Sequence, residues 1–132
     1  MNEQEASAAR ISHKVALFRY DVSGRAIIMG QTNGFIKLIC TTEAEGSRVL
    51  GARAMGPHAS SLIGIISVMI HLGKPISELA ESLKTAYPAV LEGLHECARM
   101  MDNNSILKPE AFPNSLVMKE VNFEEEQQAQ TA

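Results

Sequence analysis

The stretch LIGIISVMIHL, Leu62 to Leu72, constrains this chain more than any other part of it. Leu62, Ile63, Ile66, Met69 and Ile70 recur at helical spacing, and Gly73 followed by Pro75 supplies the stop. The helix so predicted is apolar nearly all round. Such a helix must be covered on more than one side, by its own sheet and by a further layer or a second subunit. It is far short of the ~20 residues that cross a bilayer, so no membrane span is expected.

Before Gly56-Pro57 the pattern is that of strands. HKVALFRY, His13 to Tyr20, is rich in residues that suit a pleated surface, and DVSG after it has turn composition. RAIIMG and QTNG follow, where Asn33-Gly34 tolerates positive φ and lets the chain reverse into GFIKLIC. Phe35–Cys40 and Arg48–Met55 flank the polar TTEAEG, as in a hairpin with a longer loop. In the second of these, Val49, Gly51, Arg53 and Met55 share one face and Leu50, Ala52 and Ala54 the other. Neither face is fully polar, which suggests a sheet covered by helices on one side and met by something else on the other. Ahead of all this, Asn2 with Glu3 and Glu5 opens a short capped helix that ends near Arg10.

After the apolar helix, Ser77 with Glu78 and Glu81 begins a second helix, with Leu79 and Leu83 inward, that stops before Pro88. Pro88 then suits the first turn of a third, carrying Val90, Leu91, Leu94, Ala98 and Met101 at helical spacing. DNNS ends it. Strands followed by helices argue for α+β, an antiparallel sheet covered by helices. Residues 1–108 form the domain in this reading and residues 109–132 a C-terminal tail, disordered from about Glu124 in the charged, amide-rich run NFEEEQQAQTA.

Composition narrows the functions available. With 132 residues, 45% hydrophobic and 20% charged, one globular core is expected. The net charge of -3 offers no basic field for phosphates, and no Lys/Arg cluster is interleaved with aromatics, so nucleic acid is not an expected partner. Cys40 and Cys97 are far apart and form no CxxC pair; they read as small core hydrophobes in a reducing compartment. His13, His58, His71 and His95 lack metal-ligand spacing, and no metal site is expected. The polar, acid-bearing start MNEQEASAAR fits neither a signal peptide nor a transit peptide, and a cytoplasmic location follows.

MNEQEASAAR, NGFIKLI, LGARAMGPHASSLI and ISELAESLKTAYPAVLEGL occur in the order and spacing of one known domain. From about Met1 to Met101 the chain resembles the C-terminal dimerisation (interface) domain of the pyridine nucleotide-disulfide oxidoreductases, the family of dihydrolipoamide dehydrogenase, glutathione reductase and mercuric reductase. The resemblance implies a symmetric homodimer within an enzyme whose FAD and NAD(P) domains lie upstream. It also implies that the domain's customary first strand would precede Met1, as in a fragment or truncated reading frame. No GxGxxG fingerprint and no closely spaced cysteine pair occur here, so no cofactor is expected to be bound by this chain alone.

In disulfide-reducing members a His-Pro pair is followed by a Glu whose carboxylate orients the imidazole serving the other subunit's thiols. The matching positions here are Tyr87, Pro88 and Glu92. By resemblance Tyr87 and Glu92 are the catalytic candidates and Pro88 the cofactor-contacting one. A phenol, with an ordinary pKa near ~10, is a poor proton shuttle at neutrality, which argues against lipoamide or glutathione chemistry. YPAVLEGL is similar to the corresponding stretch of mercuric reductases and soluble transhydrogenases, but no Cys follows Cys97, which disfavours metal-ion reduction. Read without the resemblance, Tyr87 packs a helix entrance and Glu92 is a first-turn acid favoured by the helix dipole. A free-standing, non-catalytic interaction domain is the competing function.

Overall fold

Alternate residues of a strand face opposite sides of a sheet, and here the two sides meet different neighbours. The computed structural model describes residues 1–43 and 46–123. Its sheet contains β1 (His13–Arg19), β2 (Phe35–Thr41), β3 (Val49–Met55) and β4 (Leu116–Val121), all neighbours antiparallel, in the order β3-β2-β1-β4. The helices are α1 (Glu3–Ala8), α2 (Gly24–Ile28), α3 (Ala59–Leu72), α4 (Ile76–Ser82) and α5 (Leu91–Met101), with 3-10 turns at Tyr20–Val22 and Pro109–Ala111. The α+β class with an antiparallel sheet and helices is the one the sequence predicts.

One face of the sheet builds the core. Ala16, Phe18, Ile36, Leu38, Cys40 and Leu116 are buried there against Leu62 and Ile66 of α3, Ile76 and Leu79 of α4, and Leu94, Cys97 and Ala98 of α5. Each large side chain so buried contributes about 1.5–3 kcal/mol before the entropy of ordering is subtracted. Glu96, also buried, accepts hydrogen bonds from Ser105 Oγ (2.5 Å), Ile106 N (3.0 Å) and Leu107 N (3.1 Å), which fastens the segment after α5 to the helix.

The opposite face is covered only in part. α1 begins at a capping box in which Asn2 and Glu5 bond each other's backbone N–H. It buries Ala6 completely and is tied to the sheet by the Glu3–Lys37 ion pair. The Lys37 ammonium bonded to Glu3 holds that carboxyl below its ordinary pKa, more than desolvation raises it. Beside α1 a groove of about 700 Å³ stays open, floored by Val15, Leu17, Phe35 and Val117 and flanked by Arg19 and Arg53.

Several local expectations change. RAII forms helix α2, and the reversal before β2 uses Gly30 at φ 65°, while Asn33 and Gly34 have negative φ. The β2–β3 register shifts between Ile39 and Cys40, so that Gly51 lies opposite Ile39 but Val49 opposite Cys40. This bulge breaks the simple alternation, and Val49 joins the core while Arg53 and Met55 line the open groove. Ile63 and Ile70 do not lie in the buried stripe of α3: they are 39% and 46% exposed. α4 already ends at Ser82, with Leu83 half-buried at its cap. α5 starts at Leu91, so Pro88 sits ahead of it instead of in its first turn. Within the segment read as a tail, LVMKEV is a sheet strand. The disorder expected from about Glu124 lies outside the described residues.

Candidate functional site

Two surface features remain after the core is accounted for. The first is the outward face of α3. Leu62 and Ile66 occupy its inward side, and the 3.6-residue period then sets Ile63 and Ile70 on one flank and Val68 and Leu72 on the other, with Ser60, Gly64, Ser67 and His71 exposed between them. Ile63 and Ile70 are 39% and 46% exposed, Val68 and Leu72 57% and 59%. Small residues lie among them, and a Cβ added to Gly64 would meet nothing within 4 Å. Small in the middle, apolar on both flanks and accessible to close approach, this side of the helix suits a second protein surface.

The second feature is the connection between α4 and α5, which carries Tyr87 and Pro88, and leads to Glu92 in the first turn of α5. Tyr87 is 78% exposed and joined to Pro88 by a cis peptide bond. Its ring is nonetheless seated: a Cβ on Gly24 would lie 2.9 Å from Tyr87 Oη. Gly24 has an ordinary φ and lies beneath the phenol, whose exposed far end could shift to admit a side chain there. Tyr87 and the half-buried Glu92 line one cleft of about 620 Å³, together with Lys84, Thr85, His95 and Arg99. Pro88 is half-buried next to Tyr87 and outside the lining of that cleft. The structure thus brings Tyr87 and Glu92 to one opening without a hydrogen bond between them. Gly24 and Glu96 are the contributors that spacing alone does not reveal. The one signal for Glu96 is a carboxylate lodged in the apolar run of α5.

Of the four histidines, His13 and His95 are bound up in the fold, while His58 and His71 are exposed. His13 Nδ1 lies 2.7 Å from Ile11 O, and His95 Nε2 lies 2.6 Å from Ala80 O, joining α5 to α4. Among the described residues no group of three metal-ligating side chains comes together. Burial pushes the Cys40 thiol up to about 12, and the Cys97 thiol is raised as well, by burial first and then by nearby Glu96. Neither is suited to nucleophilic or redox chemistry in the folded state.

The turn from β3 into α3 carries a glycine whose backbone is packed against an aromatic ring. Between β3 and α3, Gly56 has φ 110°, and a Cβ there would lie 2.7 Å from Tyr20 Cε2. Buried Tyr20 also donates from Oη to Pro57 O (3.0 Å), which packs its ring against this turn. Among the described residues no helix is long and apolar enough to cross a membrane.

Comparison with known proteins identifies the domain. Residues 1–98 match the family model described as pyridine nucleotide-disulphide oxidoreductase, dimerisation domain. The chain is 33% identical over 99 residues to dihydrolipoyl dehydrogenase 3 of Haloarcula marismortui, covering 75% of this chain and 20% of that protein. It is 32% identical over 106 residues to the dihydrolipoyl dehydrogenase of Thermus scotoductus, covering 80% and 22%. The structure of LpdA from Mycobacterium tuberculosis superposes with a TM-score of 0.68 at 25% identity, covering 76% of this chain and 21% of that one. The chain therefore spans about a fifth of the length of the curated relatives it matches.

Proposed function

The chain belongs to the family of pyridine nucleotide-disulphide oxidoreductase dimerisation domains, and from that premise we propose that it joins two subunits of a flavin-dependent NAD(P)H oxidoreductase. The observation that carries this is the outward face of α3, where Ile63, Val68, Ile70 and Leu72 stay exposed on a domain whose core is already complete. A homodimer related by a two-fold axis would set that face against its own copy, with Gly64 allowing close approach. FAD and NAD(P) would be held by other domains of the longer enzyme, and electron transfer would be theirs. The buried free thiols suit a reducing, cytoplasmic setting.

Within such a dimer, Tyr87 and Glu92 would be offered to the partner's flavin site. Tyr87 supplies a hydroxyl that both donates and accepts, on a ring lying over Gly24; Glu92 supplies an acceptor at the mouth of the same cleft. This pair orients or shields a bound group and replaces the imidazole–carboxylate proton shuttle.

Co-expression of two differently tagged copies tests the homotypic contact. Recovery of both tags on either resin is expected; recovery of one alone would overturn the proposal. The same preparation tests where the cofactors are held. Flavin bound to the isolated chain, with NAD(P)H turnover, would contradict placing the cofactors elsewhere.

A further inference from the structure

We propose that the edge of β1 facing β4 is a strand-acceptor site, that the chain's own residues 115–123 are its occupant, and that this occupant can be supplied from a separate molecule. The argument starts from where β4 comes from. The family match ends at residue 98, whereas β4 spans Leu116–Val121. Within the matched residues β1 has a partner on one side only, β2. Its other edge would present unpaired N–H and C=O groups beside an apolar groove, an arrangement that invites strand addition.

β4 meets that edge along its length, from Phe18↔Leu116 to His13↔Val121. Arg19 N donates to Ser115 O (2.9 Å), and antiparallel alternation then turns the amides of Leu17 and Val15 toward β4 and those of Phe18 and Ala16 toward β2. The side chains follow the alternation expected of a docked peptide. Leu116 is 1% exposed and Met118 packs on the core, while Val117 and Lys119 line the open groove. Both ends are pinned by side chains of the receiving domain. Ser115 Oγ donates to Asp21 Oδ2 (2.9 Å), and Ser12 Oγ accepts from Phe123 N (3.0 Å). Exposed Lys119 and Glu120 make β4 itself a poor template for a further strand. The occupant is thus a short extended segment read by its backbone, two inward apolar side chains and two terminal hydrogen bonds. None of this rests on the dimerisation proposal.

The test uses the full chain carrying Val117→Pro, which removes an N–H from the middle of the β1–β4 ladder, and follows amide hydrogen exchange by residue. The amides of Val15 and Leu17 should exchange roughly a hundredfold faster than in the parent, while those of Ala16 and Phe18 keep their protection. A synthetic peptide of residues 113–123 should restore the lost protection. Unchanged protection of Val15 and Leu17 in the variant, or failure of the peptide to restore it, would overturn the proposal. Should the variant lose protection throughout, the parent chain cut at a protease site introduced between Asn103 and Asn104 takes its place. Labelled peptide must then displace the released segment, and no displacement also overturns it. Sedimentation of the same samples reports the dimer separately.

Discussion

Replacing Glu96 should destabilise this domain in two distinct steps. Its carboxylate Oε1 accepts from Ser105 Oγ at 2.5 Å, Ile106 N at 3.0 Å and Leu107 N at 3.1 Å, and the residue is 4% exposed. Glu96→Gln keeps an oxygen in place and loses charge assistance, a cost of about 1–2 kcal/mol. Glu96→Ala removes the acceptor and leaves two backbone N–H groups and a hydroxyl without it. Because the 105–107 segment can swing partly toward water, the cost is about 3–5 kcal/mol, less than the sum of three full penalties. Against a total stability of roughly 5–15 kcal/mol, the alanine variant should be close to the edge of folding. Urea titration followed by circular dichroism measures this. With a slope of about 1–3 kcal/mol per molar, the midpoint should drop by roughly 0.5–1 M for Gln and by about 2 M for Ala. Equal losses for the two variants, or a loss under about 1 kcal/mol for Ala, would refute the reasoning that this carboxylate fastens the segment leading to β4.

Gly93→Ala should destabilise by about 1–2 kcal/mol in the same titration despite the better helix propensity of alanine, because the new Cβ would lie 2.7 Å from Phe18 Cδ1 and 2.9 Å from Ile36 Cδ1. Cys40 and Cys97 should resist an exposed-thiol reagent in the folded chain and react fully in urea; native reaction at either would contradict their burial. Both thiols are raised in the folded state, so the folded chain holds their protons more tightly. Stability should therefore fall as pH rises above the ordinary thiol value of 9.0 towards about 12, as urea midpoints across that range would show. Glu3 has the opposite sign: its folded value is lowered, so its small contribution is present above the ordinary 4.5 and lost as pH falls below it. Glu3→Gln should flatten that acid limb; an unchanged limb would place the dependence elsewhere.

How much of this was legible in sequence depended on whether the signal was local. The capped helix at Asn2, the strand from His13, which ends one residue early at Arg19, and the stop at Gly73 are written in neighbouring residues. The face of Val49 is not, because a bulge at Ile39/Cys40 decides it and a bulge is a property of two strands together. Ile63 and Ile70 share the periodicity of Leu62 and Ile66, and only the position of the sheet separates the inward pair from the outward one. LVMKEV is short, carries two charges and follows Pro113, and its strand character comes from the β1 edge it meets. At the candidate site Tyr87 and Glu92 are picked out by the resemblance, and their own residue types and positions read as structural. Gly24 is invisible without the fold that lays a distant phenol across it.

Sedimentation velocity on the parent chain and on Ile63→Asp/Ile70→Asp tests the central claim most directly, since both side chains point outward from α3 and carry little of the core. At tens of micromolar the parent should run as a two-chain species and the variant as a single chain with an unchanged circular dichroism spectrum. A parent that is strictly monomeric, or a variant that sediments like the parent, would contradict the account.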